Sequence, residues 1–596
     1  MNEVSCTKIR KLIGQGECLK AYDLATSCPN DADNHEECQY LTVLSLARSG
    51  ATLSAQKLFD EFGFANSNNE DYAALGARLA KDIALNEVDG IERIKQLKQA
   101  AKQYHDVFKR TGGFYTAINA ASLYKLSGKT SLANDLARQT LALCEQETAG
   151  QGLNEYYRVA SMIEALLVLD DIDTAIPLLE KARHYADSDY AAMATTRRQL
   201  ALLLPENKHA LLALLTPPEV IHFCGHMISS STDSGRFLPR NEKTVKAAII
   251  EQLAAFNVAF AYGSLASGAD ILFAETLLER NAELHIILPF DMDEFIQVSV
   301  KPAGSQWVER FHYCIDKANS VSYSCDGSYL GDNTLFHYAT RLAMGMAVQK
   351  ANNLQAQVKQ FAVWDGDTST GCAGTYADIQ TWQQQHNESI LICSHDGSLL
   401  SQPSLEDVVS NELGKGQRRA HAMLFGDVKG FSKLNDEQIP AFVDKLFGAL
   451  ADSLEQFATS VLSTNTWGDG LFVVFEDALS ASQCAMALQD SMRNLDLSKL
   501  GLPNHLALRL GVHYGPVYEL NDPVLHRPNY FGAHVTKAAR IEPITPEGEV
   551  YVTRQLSSEL ALIKHCGFST EYVGVVPTAK KYGDMPMYLL RRTENK

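Results

Sequence analysis

The stretch Met423 to Leu434 reads M-L-F-G-D-V-K-G-F-S-K-L, and Asn465 to Phe475 reads N-T-W-G-D-G-L-F-V-V-F. Each stretch places one aspartate, Asp427 or Asp469, at the end of an apolar run that predicts a β-strand. W-G-D-G between two such runs predicts a tight hairpin turn. Two carboxylates on neighbouring strands suit Mg²⁺ or Mn²⁺, because hard cations prefer oxygen ligands. Either aspartate alone is better explained as an ordinary loop or turn residue, so the metal-site prediction depends on the pair.

Together and in this order, the two stretches resemble the catalytic domain of class III nucleotidyl cyclases, the adenylate and guanylate cyclase family. Two later stretches match the family's W-G-x-x-V-N-x-A-x-R and K-x-x-G-x-M-x-x-Y patterns. The resemblance implies an α+β, ferredoxin-like domain over residues 419–596. The matching residues are Phe425, Asp427, Val428, Gly430, Phe431 and Ser432 in the first motif, Gly468 and Asp469 in the hairpin, Phe531 to Arg540 in the third, and Lys580, Gly583, Met585 and Tyr588 in the last.

The resemblance also implies a reaction and its site. A nucleoside triphosphate, ATP favoured and GTP next, would become a 3′,5′-cyclic nucleotide and pyrophosphate. Asp427 and Asp469 would hold two Mg²⁺ or Mn²⁺ ions in each site, and backbone N–H groups from Val428 to Ser432, including those of Gly430 and Phe431, would bind phosphates. Arg540 and Lys580 would stabilise developing charge. In the family these two come from a second subunit, so a homodimer is implied.

Three positions depart from the family pattern. Asn465 replaces the lysine that recognises adenine, Asn529 replaces the partner of that lysine, and Thr536 replaces the asparagine that orients the ribose. Because an asparagine amide both donates and accepts hydrogen bonds, the base is left open. Two hypotheses follow: a regulated cyclase, favoured by the retained aspartate pair, or a catalytically weak or inactive cyclase-like scaffold that binds nucleotide, favoured by the three departures.

Composition narrows the class of protein. A chain of 596 residues predicts three or four domains. The net charge of −18 argues against nucleic acid or an anionic membrane surface as a partner. The sequence has no long apolar run and no signal-peptide profile at its start. Its 12 cysteines are scattered without metal-binding spacing, which is typical of reduced thiols, so we expect a soluble, cytoplasmic protein.

Residues 1–215 have apolar positions at helical spacing and predict an all-α repeat array. A Gly-x₄-Ala unit recurs at Gly16, Gly50 and Gly128, with the variant Asp170-x₄-Ala175. Gly16 and Gly50 are separated by the period of tetratricopeptide repeats, which the region resembles. Such arrays usually bind a protein partner or pack within their own chain. An ordinary helical bundle with chance spacing is the alternative.

Residues 217–395 alternate short apolar runs with helical segments, which predicts βαβ units in a parallel, Rossmann-like sheet. The domain resembles the SLOG superfamily, which implies a small nucleotide-like ligand. The candidate ligand residues are Gly263, Ser264, Gly268 and Asp270 in the loop Tyr262 to Glu275, and Gly371, Gly374 and Thr375 in a second glycine-rich turn. Glycines that only make tight β-to-α turns are an equally good explanation. Residues 396–418 predict a linker.

Overall fold

The computed structural model describes residues 5–147, 150–186, 188–230, 234–368, 374–386, 388–403, 418–581 and 583–593. The chain divides into two compact units. Residues up to Pro218 make up most of the first, and Glu219–Ala351 with Gln357–Arg592 make up the second. The predicted order of a helical region, a parallel sheet and an α+β domain is confirmed.

The first unit is helical throughout its described residues. Its helices pack in consecutive pairs around buried alanines, leucines and aromatic residues. They are α1 Cys6–Gly14, α2 Cys18–Thr26, α3 His35–Arg48, α4 Thr52–Phe62, α5 Glu70–Asn86, α6 Gly90–Thr111, α7 Phe114–Leu126, α8 Thr130–Gln146, α9 Gly152–Val168, α10 Ile172–Ala186 and α11 Tyr190–Leu203. Two 3₁₀ segments, Phe64–Asn66 and Glu206–Leu215, complete the unit.

The repeated Gly-x₄-Ala unit forms the turn inside four helix pairs, α1–α2, α3–α4, α7–α8 and α9–α10. Gly16, Gly50, Gly128 and Asp170 have φ values of 74°, 88°, 83° and 63°. After each turn, an N–H group bonds back to a carbonyl five residues earlier, as Ala51 does to Leu46. The alanines that close the unit, Ala21, Ala55, Ala133 and Ala175, are buried. The prediction of a glycine turn followed by close helix packing is therefore confirmed.

The central region is a six-stranded parallel sheet in the order β4-β3-β2-β1-β5-β6. Its elements are β1 Glu219–Gly225, α12 Glu242–Ala254, β2 Val258–Gly263, α13 Ala269–Glu279, β3 Glu283–Leu288, α14 Met292–Phe295, α15 Ser305–Lys317, β4 Ser320–Tyr323, α16 Thr334–Leu354, β5 Val358–Trp364, α17 Thr375–His386 and β6 Ser389–Cys393. The sequence did not predict α15 and β4, because β4 is short and only half-buried and so has little apolar pattern.

The C-terminal region is one mixed sheet covered by helices. Its strand order is β13-β14-β12-β10-β7-β9-β8, with β11 paired to β10. The elements are β7 Arg419–Lys429, α18 Ile439–Ala441, α19 Gly448–Glu455, β8 Val461–Trp467, β9 Gly470–Phe475, α20 Ala478–Asn494, β10 Ala507–Asp522, β11 Arg527–Phe531, α21 Ala533–Ala538, β12 Val550–Thr553, α22 Arg554–Leu562, β13 Phe568–Pro577 and β14 Asp584–Arg592.

Two predictions lie outside the described residues: most of the linker 396–418, from 404 to 417, and Gly371 in the second glycine-rich turn. Among the described helices, none combines the length and apolar composition that crossing a bilayer requires.

Candidate active site

Strand pairing brings the two aspartates together. Asp427 lies near the end of β7, and Asp469 lies in the two-residue turn between β8 and β9. Because β9 pairs with β7, with Leu471 opposite Gly426, the turn projects beside Asp427. Gly468 has a φ of 65°, a conformation that favours glycine and allows the tight turn. The predicted hairpin is therefore confirmed, and Asp427 lies within its strand, two residues before the end.

The two carboxylates interact directly. Burial raises the pKa of Asp469 to about 6, and a hydrogen bond and repulsion from Asp427 add to the increase. Two ionised carboxyl groups held this close repel each other. A divalent cation bound by both would offset that repulsion. The donor set, oxygen only, also fits Mg²⁺ or Mn²⁺. The pair is therefore suited to bind a divalent cation.

Arg509 and Glu542 join the two aspartates in a cluster of charged side chains that the sequence did not reveal. Arg509 lies opposite Asp427 on β10, and its Nη2 donates a hydrogen bond of 2.6 Å to Asp427 Oδ2. The same nitrogen forms an ion pair of 2.8 Å with Glu542 Oε1. Burial raises the pKa of Glu542 to about 7; Arg509 opposes the increase, whereas Asp427 and Asp469 add to it. The only sequence signal for Arg509 was a lone charge in an apolar strand.

The turn after β7 presents backbone donors. Gly430 has a φ of 96°, and a 3₁₀ turn follows at Phe431–Lys433. Within the described residues, the N–H groups of Phe431 and Ser432 donate to no backbone or side-chain acceptor. Val428 is a buried strand residue, whereas Lys429 and Ser432 are exposed and Gly430 and Phe431 are partly exposed, so the accessible part of the predicted phosphate-binding segment is Lys429 to Ser432.

The predicted residues Thr536, Arg540 and Lys580 lie on α21, just after it, and in the turn between β13 and β14. Thr536 is exposed on α21, and Arg540 follows that helix with its Nε atom buried and without a partner. Lys580 is exposed in the turn between β13 and β14, with a φ of 58°. Among the described ion pairs, neither Arg540 nor Lys580 contacts Asp427 or Asp469.

The two asparagines predicted to contact the base are bonded within the chain. Asn465 Oδ1 accepts from the Thr466 N–H at 3.1 Å. Asn529 Nδ2 donates to Asp522 Oδ2 at 2.9 Å, and its Oδ1 accepts from the Tyr530 N–H at 2.9 Å. A nucleotide base that binds Asn529 would therefore contact an amide whose orientation is fixed by Asp522.

The central glycine-rich loop is tightly packed. Gly268 has a φ of 103°, and a Cβ atom there would lie 2.4 Å from the Ile228 nitrogen. Three N–H groups of the loop are already bonded: Ala266 to Asp270 Oδ2, Ser267 to the Ser299 carbonyl and Ala269 to the His226 carbonyl. The loop therefore offers fewer free N–H donors to an anion than its glycine pattern suggests, and Gly268 has a structural role.

Polar side chains nevertheless converge at the ends of β1, β2 and β5. Asp270 Oδ1 and Ser267 Oγ are buried without hydrogen-bond partners, and burial raises the pKa of Asp270 to about 7. His226 lies 3.2 Å from Thr375 Oγ1 and 3.0 Å from Asp365 Oδ1. Gly263 ends β2 against the Phe223 side chain, Ser264 follows it, and Gly374, with a φ of 122°, precedes α17.

Comparison with known proteins matches two parts of the chain. Residues 415–592 match the family of the adenylate and guanylate cyclase catalytic domain, and residues 16–124 match the tetratricopeptide repeats-sensor family. A putative adenylate cyclase 3 of Rhizobium meliloti (strain 1021) is 30% identical over 141 residues. That match covers 23% of this chain and 22% of the relative, so the chain spans about a fifth of its length.

Solved structures of cyclase domains are similar to about a third of the chain. The adenylyl cyclase CyaB from P. aeruginosa is 17% identical with a TM-score of 0.27, and the match covers 30% of this chain and 97% of that one. The guanylate cyclase domain of RhGC from Catenaria anguillulae in complex with GTP is 19% identical with a TM-score of 0.25, covering 30% and 99%. A non-canonical dimeric guanylyl cyclase domain of the RhoGC fusion protein from Blastocladiella emersonii is 17% identical with a TM-score of 0.26, covering 30% and 99%.

The family match and the Asp427–Asp469 geometry agree. The C-terminal region is a class III nucleotidyl cyclase catalytic domain, and the chain carries a tetratricopeptide-like sensor region before it. The resemblance of the central domain to the SLOG superfamily stays a prediction.

Proposed function

We propose that this protein is a regulated nucleotidyl cyclase that converts a nucleoside triphosphate, ATP favoured and GTP next, into a 3′,5′-cyclic nucleotide and pyrophosphate. The observation that carries the proposal is the Asp427–Asp469 carboxylate pair, with Arg509 bonded to one member, inside a domain that matches the cyclase family. This arrangement joins a site for divalent metal ions to a cation that fixes its geometry. The signalling role belongs inside the cell, which makes a cytoplasmic location part of the proposal.

The reaction is intramolecular: the ribose 3′-oxygen attacks the α-phosphate, and pyrophosphate leaves. Positioning and charge stabilisation therefore dominate its catalysis. Asp427 and Asp469 would hold two Mg²⁺ or Mn²⁺ ions, which activate the attacking oxygen and neutralise phosphate charge when bound. Arg509 holds the Asp427 carboxylate in one orientation. The free N–H groups of Phe431 and Ser432, in the turn after β7, bind phosphate oxygens.

The remaining groups come from a second copy of the chain. Arg540 and Lys580 make no described ion pair with the aspartates of their own chain, and Lys580 is exposed. A symmetric homodimer would bring Arg540 and Lys580 of one subunit to the aspartates of the other and create two equivalent sites. The exposed hydroxyl of Thr536 would then face the ribose, in part through water.

The second candidate is a cyclase-like scaffold that binds nucleotide with little or no turnover. The hydrogen bonds that already engage Asn465 and Asn529 favour it, because these side chains must rearrange to read a base. Incubating the purified protein with ATP, GTP, CTP or UTP and Mn²⁺, followed by mass spectrometry of the products, separates the candidates. A cyclic nucleotide in at least one reaction supports the enzyme; binding without any cyclic product supports the scaffold.

We also propose that the central domain takes a small nucleotide-like ligand. Strand order reverses between β1 and β5, and the crevice at such a reversal is a common ligand site in parallel sheets. Near this edge, Asp270 Oδ1 and Ser267 Oγ are buried and have no hydrogen-bond partner. Both atoms could accept hydrogen bonds from hydroxyl or amine groups of a ligand. Asp270→Asn should weaken binding of a nucleoside monophosphate or dinucleotide, whereas Ser305→Ala, at the exposed start of α15, should not. The helical repeats are the proposed site of a protein partner.

A further inference from the structure

Helix α21 has two faces with different surroundings. Ala533 and Thr536 are exposed, whereas His534, Lys537 and Ala538 are buried. The buried face meets the segment Ser324–Asp332, which follows β4 in the central domain and which we name the β4–α16 segment. One short helix of the cyclase domain therefore carries a predicted site residue on its free side and contacts the central domain on its other side.

The contact is a continuous chain of buried polar groups. Cys325 Sγ lies 3.2 Å from His534 Nε2, and His534 Nδ1 lies 2.7 Å from His513 Nε2. His513 Nδ1 lies 2.9 Å from Thr553 Oγ1. Burial lowers the pKa of both His513 and His534, so both imidazoles are neutral; each then has one N–H donor and one acceptor, which lets the hydrogen bonds run in a single direction along the chain. Without Cys325, the His534 Nε2 atom would be buried without a partner, which is costly.

Two further contacts fix the helix. Lys537 Nζ forms an ion pair of 3.0 Å with Asp326 Oδ2. The Tyr338 ring from α16 packs edge-on against the His534 ring. The Tyr338 hydroxyl donates a hydrogen bond of 2.7 Å to the Tyr514 carbonyl oxygen. On the other side of His534, a Cβ atom added at Gly515 would lie 2.2 Å from its Nδ1 atom, so the ring rests directly on β10. Cys325, Tyr338 and β10 at Gly515 therefore all contact the His534 ring.

We infer that Cys325 and Asp326 are positioning residues for the cyclase reaction. They hold α21 by its buried face and so set Thr536 on its free face and Arg540 just beyond its end. The inference rests on the proposed function, in which these two residues reach the site of the partner subunit. It gives the central domain a direct, non-covalent path to the reaction, additional to the linker 396–418. A rearrangement of the β4–α16 segment would then change catalysis without touching the metal-binding aspartates.

The first test compares full-length variants. Cys325→Ala should lower kcat roughly tenfold or more with little change in KM, because small displacements of a group that acts in the transition state are costly. Cys325→Ser keeps a donor and acceptor at this position and should restore most of kcat. Gln349→Ala removes a bond of the same domain interface, to Ser557 Oγ at 2.7 Å, that does not touch α21, and should leave kcat nearly unchanged. Equal losses in Cys325→Ala and Gln349→Ala, or no rescue by Cys325→Ser, would overturn the inference.

Mixed dimers locate the defect within the shared site. Cys325→Ala damages the side of the site that holds Arg540, so mixing it with Asp427→Ala should restore activity, whereas mixing it with Arg540→Ala should not. Recovery in both mixtures would contradict the positioning role. So would recovery in neither mixture, provided that Asp427→Ala and Arg540→Ala regain activity when mixed with each other. If Asp427→Ala and Arg540→Ala fail to recover with each other, the shared site of the proposed function is wrong, and the comparison of kcat values still decides the inference.

Hydrogen exchange supplies a readout that needs no activity. Amides of residues 533–540 should exchange faster in Cys325→Ala than in Gln349→Ala, because the first variant releases the helix and the second does not. Asp326→Asn, which weakens the ion pair with Lys537 at the exposed edge, should show the same local increase and serves if Cys325→Ala folds poorly. Unchanged exchange in both Cys325→Ala and Asp326→Asn would show that the contact does not hold α21.

Discussion

Arg509 and Asp427 face each other across the antiparallel strands β10 and β7, with Arg509 Nη2 donating 2.6 Å to Asp427 Oδ2. The bond fixes the carboxylate that must share charge with Asp469. It also places a permanent cation among three carboxylates, those of Asp427, Asp469 and Glu542. The candidate site is thus organised before any metal or nucleotide binds.

This relationship predicts the effect of removing the cation. Arg509→Met should lower cyclase activity by about a hundredfold, because Asp427 loses its fixed orientation. Arg509→Lys should recover little, since an ammonium cannot reproduce the planar geometry of a guanidinium. Initial rates over a Mn²⁺ titration measure the effect, with Arg493→Met, an exposed arginine on α20, as the matched control. Activity in Arg509→Met equal to that of Arg493→Met would show that the bond has no role.

A shared site predicts complementation. Asp427→Ala and Arg540→Ala should each be inactive, yet their mixture should regain part of the activity, because one of the two sites in a mixed dimer has both intact sides. The control is a mixture of Asp427→Ala with Asp469→Ala, whose defects lie on the same side of the site and should not complement. Subunit exchange is verified with two affinity tags. Equal activity in the two mixtures would exclude an interfacial site.

Buried neutral histidines predict a contribution to stability that is lost in mild acid, whereas the carboxyls of Asp270, Asp469 and Glu542, whose pKa values are raised, contribute in the opposite direction. Burial lowers the pKa of His222 and of His534 to about 3, and of His513 well below its ordinary value. The unfolded chain binds these protons near pH 6.5 and the folded chain does not, so the stability that these histidines contribute is present above pH 6.5 and falls as the pH drops towards 3. Each histidine contributes a slope of up to about 1.4 kcal/mol per pH unit.

Melting temperatures between pH 7.5 and pH 5 measure this slope. His534→Asn should be less stable at pH 7.5 but should lose less stability on acidification, because one neutral histidine is gone. His526 is exposed with a φ of 52°, which asparagine tolerates, so His526→Asn should leave the slope unchanged. Identical slopes in the three proteins would mean that His534 titrates normally.

The turns of the helical unit give a prediction on backbone conformation. Gly128 has a φ of 83° and open space where a Cβ atom would lie, so Gly128→Ala should destabilise by about 1 to 2 kcal/mol through strain alone. Gly448 has a helical φ of −58° and equally open surroundings, so Gly448→Ala should stabilise by roughly 0.5 to 1 kcal/mol. Denaturant unfolding checks both; a loss of stability for both substitutions would indicate crowding in place of backbone strain.

The sequence predicted the features that are local. A glycine turn with a small residue five positions on specified the helix pairs at Gly16, Gly50 and Gly128, because a positive φ and close packing leave a readable pattern. The cyclase domain was predictable because its motifs have fixed spacing in the sequence.

Contacts between distant residues could not be predicted in this way. Arg509 is a single charge in an apolar strand, and only the β7–β10 register shows that it faces Asp427. Cys325 and His534 are 209 residues apart, and each alone is an ordinary buried side chain. The Gly268 loop shows the opposite effect: its pattern suggested free N–H donors, and tertiary packing had already engaged several of them.

The central claim is that Asp427 and Asp469 hold the metal ions that nucleotide cyclisation needs. It is tested most directly by measuring product formation in matched aspartate variants. Wild-type protein, Asp427→Asn, Asp469→Asn and Asp452→Asn, whose exposed aspartate lies on α19, are incubated with ATP or GTP and Mn²⁺. Wild type and Asp452→Asn should form the cyclic nucleotide at equal rates, whereas Asp427→Asn and Asp469→Asn should form none and keep the oligomeric state of wild type. Undiminished turnover in either Asp427→Asn or Asp469→Asn would contradict the assignment.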